Sequence, residues 1–256
     1  MDETKRAVLV TGGALRIGAA LCRRFAEEGR TVLIHHRRSA AAAEALAQDI
    51  RALGGTAHTL GADLAKETEI ESLIEQALAR APNLGVLVNC ASVFEIDQPD
   101  LPNGREWLEA TLVNAYAPAR LAADLHRAVE GGIVINILDQ KLENPNPDYF
   151  SYTASKAALA EASRMQAMAF SPRTRVYCLY PGLTLPSGDQ TVEEHQRSST
   201  LNLLQRATTP ADLAEAALLL ASGALKSGER ILVDGGQHLT PQARDVMFLI
   251  RDGAAL

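Results

Sequence analysis

Tyr152 and Lys156 stand four residues apart in Tyr152-Thr153-Ala154-Ser155-Lys156, a spacing that places a phenol and an ammonium on one face of a helix. A cation so placed is expected to draw the phenol's pKa down from about 10 toward working pH, making Tyr152 a candidate proton donor. Tyr149 has the uncharged Thr153 at its own i+4 position and offers no such pairing. Tyr-x-x-x-Lys spacing recurs by chance in helices, so its meaning rests on what the rest of the chain supplies.

A second group able to do chemistry is Thr11-Gly12-Gly13-Ala14-Leu15-Arg16-Ile17-Gly18, set between a short apolar run and an amphipathic one. Glycines there allow close backbone approach, and the N–H groups that open a helix attract an anion. Gly12, Arg16, Ile17 and Gly18 are therefore candidates for holding the phosphates of a dinucleotide. No carboxylate closes the second strand to accept from a ribose 2′-hydroxyl; the chain runs instead into His35-His36-Arg37-Arg38-Ser39. Arg37, Arg38 and Ser39 supply donors suited to a 2′-phosphate, which points to NADPH. His35 and His36 are successive in an extended segment, face opposite ways and cannot pair on a metal. Cys22, Cys90 and Cys178 form no C-x-x-C, so no metal site is expected and a reducing, cytoplasmic setting is.

The elements that must position these groups alternate between short apolar strands and longer helical stretches. Strands are read at Ala7–Thr11, Thr31–His35, Thr56–Leu60, Leu84–Asn89, Gly132–Leu138, Arg175–Leu179 and Arg230–Val233. Helices are read at Ile17–Glu28, Ala40–Leu53 and Ala154–Ala169, with another Ala-rich helical stretch near Leu108–Val129. Nearly continuous apolar strands suit a parallel sheet covered on both faces, so the fold expected is a single-domain Rossmann-type doubly wound α/β domain over residues 1–256. Residues 183–209 turn polar and lose periodicity, as a substrate lid would. The 256 residues carry 25 Lys plus Arg against 31 Asp plus Glu, a net charge of −6, and no long basic run. Nucleic acid and anionic membranes are thus unexpected partners. The opening Met1-Asp2-Glu3-Thr4-Lys5-Arg6 reads as no signal peptide, and no apolar run reaches the length of a membrane span.

In order along the chain, the T-G-x-x-x-x-x-G turn, Asp63-Leu64, Asn89-Cys90-Ala91, Asn114, Tyr152 with Lys156, Pro181-Gly182 and Asp234-Gly235-Gly236 resemble the short-chain dehydrogenase/reductase family over nearly its whole length. The resemblance implies that Asp63 and Leu64 border the adenine and that Asn89 and Ala91 shape the middle of the cofactor. It further implies that Asn114 and Lys156 hold a proton-relay water, that Lys156 binds the cofactor, and that Pro181, Gly182 and Leu183 lie against the nicotinamide. Asp234-Gly235-Gly236 reads as turn chemistry.

One departure bears on the substrate. The Ser that the family usually carries some 13 residues before the Tyr is Asp139 here, and no Ser or Thr occurs from Leu138 to Phe150. An ionised carboxylate cannot donate to a substrate carbonyl and raises the pKa of a neighbouring phenol. An Asp kept protonated in an enclosed site can instead help deliver a proton to C=N. The chain is similar to the pteridine reductase branch of the family in its T-G-x-x-x-R-x-G turn, its His35-His36-Arg37-Arg38-Ser39 segment, which the resemblance implies binds the 2′-phosphate with His36, Arg37, Arg38 and Ser39, its Asn-x-Ala-Ser-x-Phe run from Asn89 to Phe94 and its Asp139, Tyr152 and Lys156. In that branch Phe94 would stack on a pterin, Ser92 would bond to the pterin or the cofactor, and Arg16 would reach the substrate.

The expectation is an NADPH-dependent reductase of a dihydropterin or dihydrofolate, with Asp139, Tyr152, Lys156 and Asn114 as catalytic residues. Two rivals remain open: a short-chain reductase of another carbonyl or imine, and an NADP-binding protein with little turnover. Substrate side-chain preference is expected to follow from the 183–209 segment and the tail after His238. A homotetramer is what the family resemblance implies.

Overall fold

The computed structural model describes residues 5–251; the opening Met1–Thr4 read above and residues 252–256 lie outside it. Seven strands form one parallel sheet: β1 (Ala7–Thr11), β2 (Val32–His36), β3 (Ala57–Gly61), β4 (Leu84–Asn89), β5 (Gly132–Ile137), β6 (Thr174–Pro181) and β7 (Arg230–Val233), in the spatial order β3-β2-β1-β4-β5-β6-β7. Between and after them run α1 (Arg16–Glu27), α2 (Ala40–Ala52), α3 (Glu67–Arg80), α4 (Gly104–Thr111), α5 (Ala117–Ala128), α6 (Phe150–Phe170), α7 (Val192–Ser198), α8 (Pro210–Ala221) and α9 (Val246–Arg251).

Strand alternation sorts the core into two layers. Val8, Val10 and Ile34 pack with Leu21 and Phe25 of α1, Leu46 of α2 and Leu213 of α8, while Leu9, Leu33 and Leu87 pack on the other face with Leu73 of α3 and Leu121 of α5. This confirms the doubly wound α/β reading. Strand order reverses at β1, flanked by β2 and β4, and such a switch point opens a crevice at the carboxyl ends of the strands. Thr11 closes β1 there, its Oγ1 accepting from the amides of Cys90 (3.0 Å) and Ala91 (3.1 Å) as the chain leaves β4.

Several expected boundaries are corrected. The second and third strands lie one residue later than read, β5 ends a residue earlier, α1 starts and ends one residue earlier, and α2 stops at Ala52. Thr174 and Arg175 open β6, which continues to Pro181 because its last residues keep pairing with β7. The Leu108–Val129 stretch divides into α4 and α5 around a π-turn at Leu112–Tyr116. Helix α6 begins at Phe150, four residues before the reading, because the Asp97 carboxylate accepts from the Ser151 amide (3.0 Å) and hydroxyl. Residues 183–209 are not devoid of helix: Thr191 and Glu194 form a reciprocal capping box that starts α7. Asp234 accepts from the amides of Gly236 (3.0 Å) and His238 (2.7 Å), the turn chemistry read from sequence. Among the described residues no helix is long and apolar enough to cross a membrane, and no His/Cys/Asp/Glu group is placed to hold a metal.

Candidate active site

A cavity of about 660 Å³ lies along the carboxyl ends of the strands, touching Gly12, Arg37 and Asp63 as well as Asp139, Tyr152 and Lys156. The turn after β1 forms one wall. Gly12 has φ +64°, and a Cβ on it would sit 2.9 Å from Ala91 Cα; one on Gly18 would sit 2.2 Å from the Gly12 carbonyl oxygen. Glycine is therefore required for the turn, the strand β4 exit and α1 to close on one another. Arg16, Ile17 and Gly18 open α1, where first-turn amides have no partner within the helix. Arg16 takes the left-handed backbone at φ +54° and donates through Nη2 to the Pro186 carbonyl at 2.8 Å, linking the turn to the 183–209 segment.

His35, mentioned in the basic run but not assigned to the site, turns inward. Its Nδ1 accepts from the Gly12 amide at 3.0 Å and its Nε2 lies 3.0 Å from the Ala62 carbonyl, while its own carbonyl accepts from Gly13 at 2.9 Å. Accepting at Nδ1 requires the proton on Nε2, so both ring nitrogens are used by a neutral imidazole. Burial pushes its pKa down to about 4. The signal available in sequence was strand alternation, which sends His35 and His36 opposite ways.

The basic segment expected to meet a 2′-phosphate is only partly gathered at the cavity. Arg37 faces the cavity with Asp63 at 3.9 Å and Glu109 at 3.6 Å, and Leu64 lies beside them. His36, Arg38 and Ser39 lie outside the cavity lining. Ala91, Ser92, Phe94, Pro181, Gly182 and Leu183 do line it. Asn89 does not: strand pairing turns its side chain into the sheet, where Nδ2 donates to Asn136 Oδ1 at 2.8 Å. Asn114 is fully buried, its Oδ1 accepting from Val93 N (2.8 Å) and Ser92 Oγ (3.1 Å) and its Nδ2 donating to Val93 O (2.9 Å) and Ser155 Oγ (3.0 Å). Its side chain thus fastens the loop after β4 to α6.

Asp139 follows β5 in extended conformation and caps the short turn Gln140–Glu143, its Oδ1 accepting from the Lys141 amide at 2.8 Å. The Tyr152 hydroxyl donates to its Oδ2 at 2.8 Å. Lys156 Nζ donates to the Ile137 carbonyl at 2.8 Å and lies 5.8 Å from the centre of the Tyr152 ring. The expected lowering of the phenol pKa is overturned. Burial, and then the Asp139 carboxylate, push the Tyr152 phenol well above its ordinary range. Burial lowers Lys156 to about 8, and burial raises Asp139 against the opposing pull of its hydrogen bonds and of Lys141. The upward shift favours the protonated form relative to a free carboxyl, and only in that form can Asp139 donate.

Beside this pair Phe94 stacks on Tyr149 at a centroid distance of 4.1 Å and meets Tyr152 edge-on at 4.6 Å. Tyr149 contributes this aromatic wall, and burial raises its phenol. Lys141, Gln237, Asp245, Val246 and Met247 complete the same end of the cavity. Periodicity gave no sign of them, because they come from a short turn and from the chain beyond the sheet.

The short chain dehydrogenase family model matches residues 6–197, and the chain belongs to that family, an oxidoreductase class. Among solved structures, FolM alternative dihydrofolate reductase 1 from Brucella canis, complexed with NADP, is 38% identical, with a TM-score of 0.90 over 95% of this chain and 98% of its own. Among curated proteins, 3beta-hydroxysteroid dehydrogenase 1 from Eggerthella lenta is 29% identical over 94% of this chain and 97% of its own length. Dihydromonapterin reductase from Citrobacter koseri is 24% identical over 91% and 96%.

Proposed function

We propose that this protein is an NADPH-dependent reductase of a dihydropterin ring, of the dihydrobiopterin, dihydromonapterin or dihydrofolate class. The observation that carries the reading is the 2.8 Å contact between the Tyr152 hydroxyl and Asp139 at the position where a carbonyl reductase needs a neutral hydroxyl donor. The close Gly12–Ala91 approach and the Arg37 guanidinium at the cavity wall fit a dinucleotide carrying a 2′-phosphate. When bound, NADPH would supply the hydride for the ring carbon. Asp139 and Tyr152 deliver the proton to the ring nitrogen, and Lys156 holds the cofactor and fixes the end of β5 through Ile137. Phe94, backed by Tyr149, offers flat aromatic surface for a fused heterocycle, and Ser92 and Arg16 line the same cavity.

The similarity to the Brucella alternative dihydrofolate reductase and to the Citrobacter dihydromonapterin reductase supports the same substrate class. The 183–209 segment acts as a lid: Leu183, Leu185 and Gln190 face the cavity, Arg16 holds Pro186, and Arg251 of α9 grips Glu194 of α7 at 2.9 Å. Family resemblance supports a homotetramer, and three free cysteines support a cytoplasmic setting. The test is kcat/KM of wild type and Asp139→Ser on dihydrobiopterin, dihydrofolate and a ketone panel, followed by NADPH absorbance. Wild type reduces a pterin, and Asp139→Ser loses roughly 10²–10⁴ of that rate while keeping NADPH affinity. Wild type that ignores every pterin but reduces a ketone overturns the reading.

A further inference from the structure

Lys141 is 6% exposed, two residues beyond Asp139, and faces the cavity. A buried ammonium needs partners to be tolerated. Its Nζ donates to the Asp148 carbonyl at 2.6 Å, lies 3.6 Å from Asp245 Oδ2 and sits 5.3 Å from the centre of the Tyr149 ring. Asp245 arrives from the far end of the chain, just before α9, and also faces the cavity. It is seated by Asp148, whose fully buried carboxylate accepts from the Asp245 amide (2.8 Å), from Arg244 Nε (2.9 Å) and from Gln98 Nε2 (2.9 Å).

The charges that face Asp139 come from three elements. Tyr152 and Lys156 belong to α6, Lys141 to the turn Asp139 itself caps, and Asp245 to the C-terminal segment. Tyr149 precedes α6, and Cys90, next to Lys156, follows β4. Lys156 is directed at the Ile137 carbonyl, and Glu143 of the turn is held by Arg230 at 2.6 Å. Lys141 favours an ionised Asp139 and Asp245 opposes it. We propose that Lys141 and Asp245 are positioning residues for proton delivery, an opposed-charge pair that tunes in opposite directions how readily Asp139 releases its proton. The docked C-terminal segment thereby becomes part of the proton-delivery apparatus.

The inference rests on Asp139–Tyr152 as the proton-handling pair, and it is tested on the protein itself. Lys141→Met keeps the backbone amide that binds Asp139, and Asp245→Asn keeps shape while removing charge. In the full-length chain saturated with NADP⁺, the infrared C=O band of the protonated Asp139 carboxyl, identified by its loss in Asp139→Asn, is followed against pH. Its midpoint moves up in Lys141→Met and down in Asp245→Asn, each by about half a pH unit or more, and Lys141→Arg restores it. The falling limb of the kcat/KM profile moves with it. Shifts in the same direction, or none, overturn the inference; if Lys141→Met does not fold, the downward shift in Asp245→Asn alone carries the test, and its absence refutes it. Loss of the pterin reading, seen as no pterin turnover, leaves the infrared result standing, and an unsplit midpoint overturns the pair even in an enzyme fully active on pterins.

Discussion

Replacing His35 by Leu removes two hydrogen bonds at once, a buried one to Ala62 and a part-buried one from Gly12. The Gly12 amide loses its acceptor at 3.0 Å and the Ala62 carbonyl loses its donor at 3.0 Å, both around a side chain that is 2% exposed. The buried Ala62 carbonyl left unsatisfied costs about 1–3 kcal/mol, and the Gly12 amide, which lines the cavity, costs less, before the added apolar contact of Leu offsets part of it. A pH signature separates this from simple repacking. The folded pKa of about 4 lies below the ordinary imidazole value of 6.5, so the stability contribution is fully present above 6.5 and is lost as pH falls through 4. That shift is worth about 3 kcal/mol in total, of which about 2 kcal/mol has gone by pH 5. Urea unfolding of wild type and His35→Leu at pH 7.5 and pH 5 reads both effects. Wild type loses about 2 kcal/mol more than the variant over that interval, and comparing the two cancels the other histidines. NADPH binding to the variant weakens about tenfold, since the Gly12 turn loses its tether. Equal pH slopes in the two proteins would refute the buried neutral imidazole and the role assigned to it.

Tyr152→Phe removes only a hydroxyl and is expected to lower kcat by roughly 10²–10⁴ with NADPH affinity retained; steady-state kinetics with fluorescence titration of the cofactor checks this. Arg37→Ala removes the guanidinium that faces the cavity and should shrink the preference for NADPH over NADH by about tenfold through the NADPH KM, given about 1.5–3 kcal/mol for a charge-assisted bond less solvent screening. Phe94→Ala, at a ring already 37% exposed, should raise the pterin KM about tenfold through loss of stacking and leave the thermal midpoint within a few degrees.

The extent to which the site was legible follows from how local each determinant is. Ala7–Thr11, Leu84–Asn89 and Arg230–Val233 carry their strand signal in consecutive apolar residues, and the structure forms strands over those same residues. The glycine turn was equally readable, because the need for Gly at positions 12 and 18 comes from backbone approach within one βα unit. The capping box at Thr191 and Glu194 was readable by the same local logic, and the polar composition around it obscured it.

Tertiary structure alone decided the rest. The start of α6 depends on Asp97, more than fifty residues earlier, and the inward turn of Asn89 on its neighbour Asn136 in β5. The i+4 spacing of Tyr152 and Lys156 gave their common face but not the balance of their protons, since the phenol answers to burial and to Asp139 before it answers to the lysine. His35, Lys141 and Asp245 acquire their partners only when the sheet, the turn after β5 and the C-terminal segment are assembled. Sequence period reports which face of an element is apolar; desolvation and through-space charge depend on which distant segments close over that face, and those the fold alone supplies.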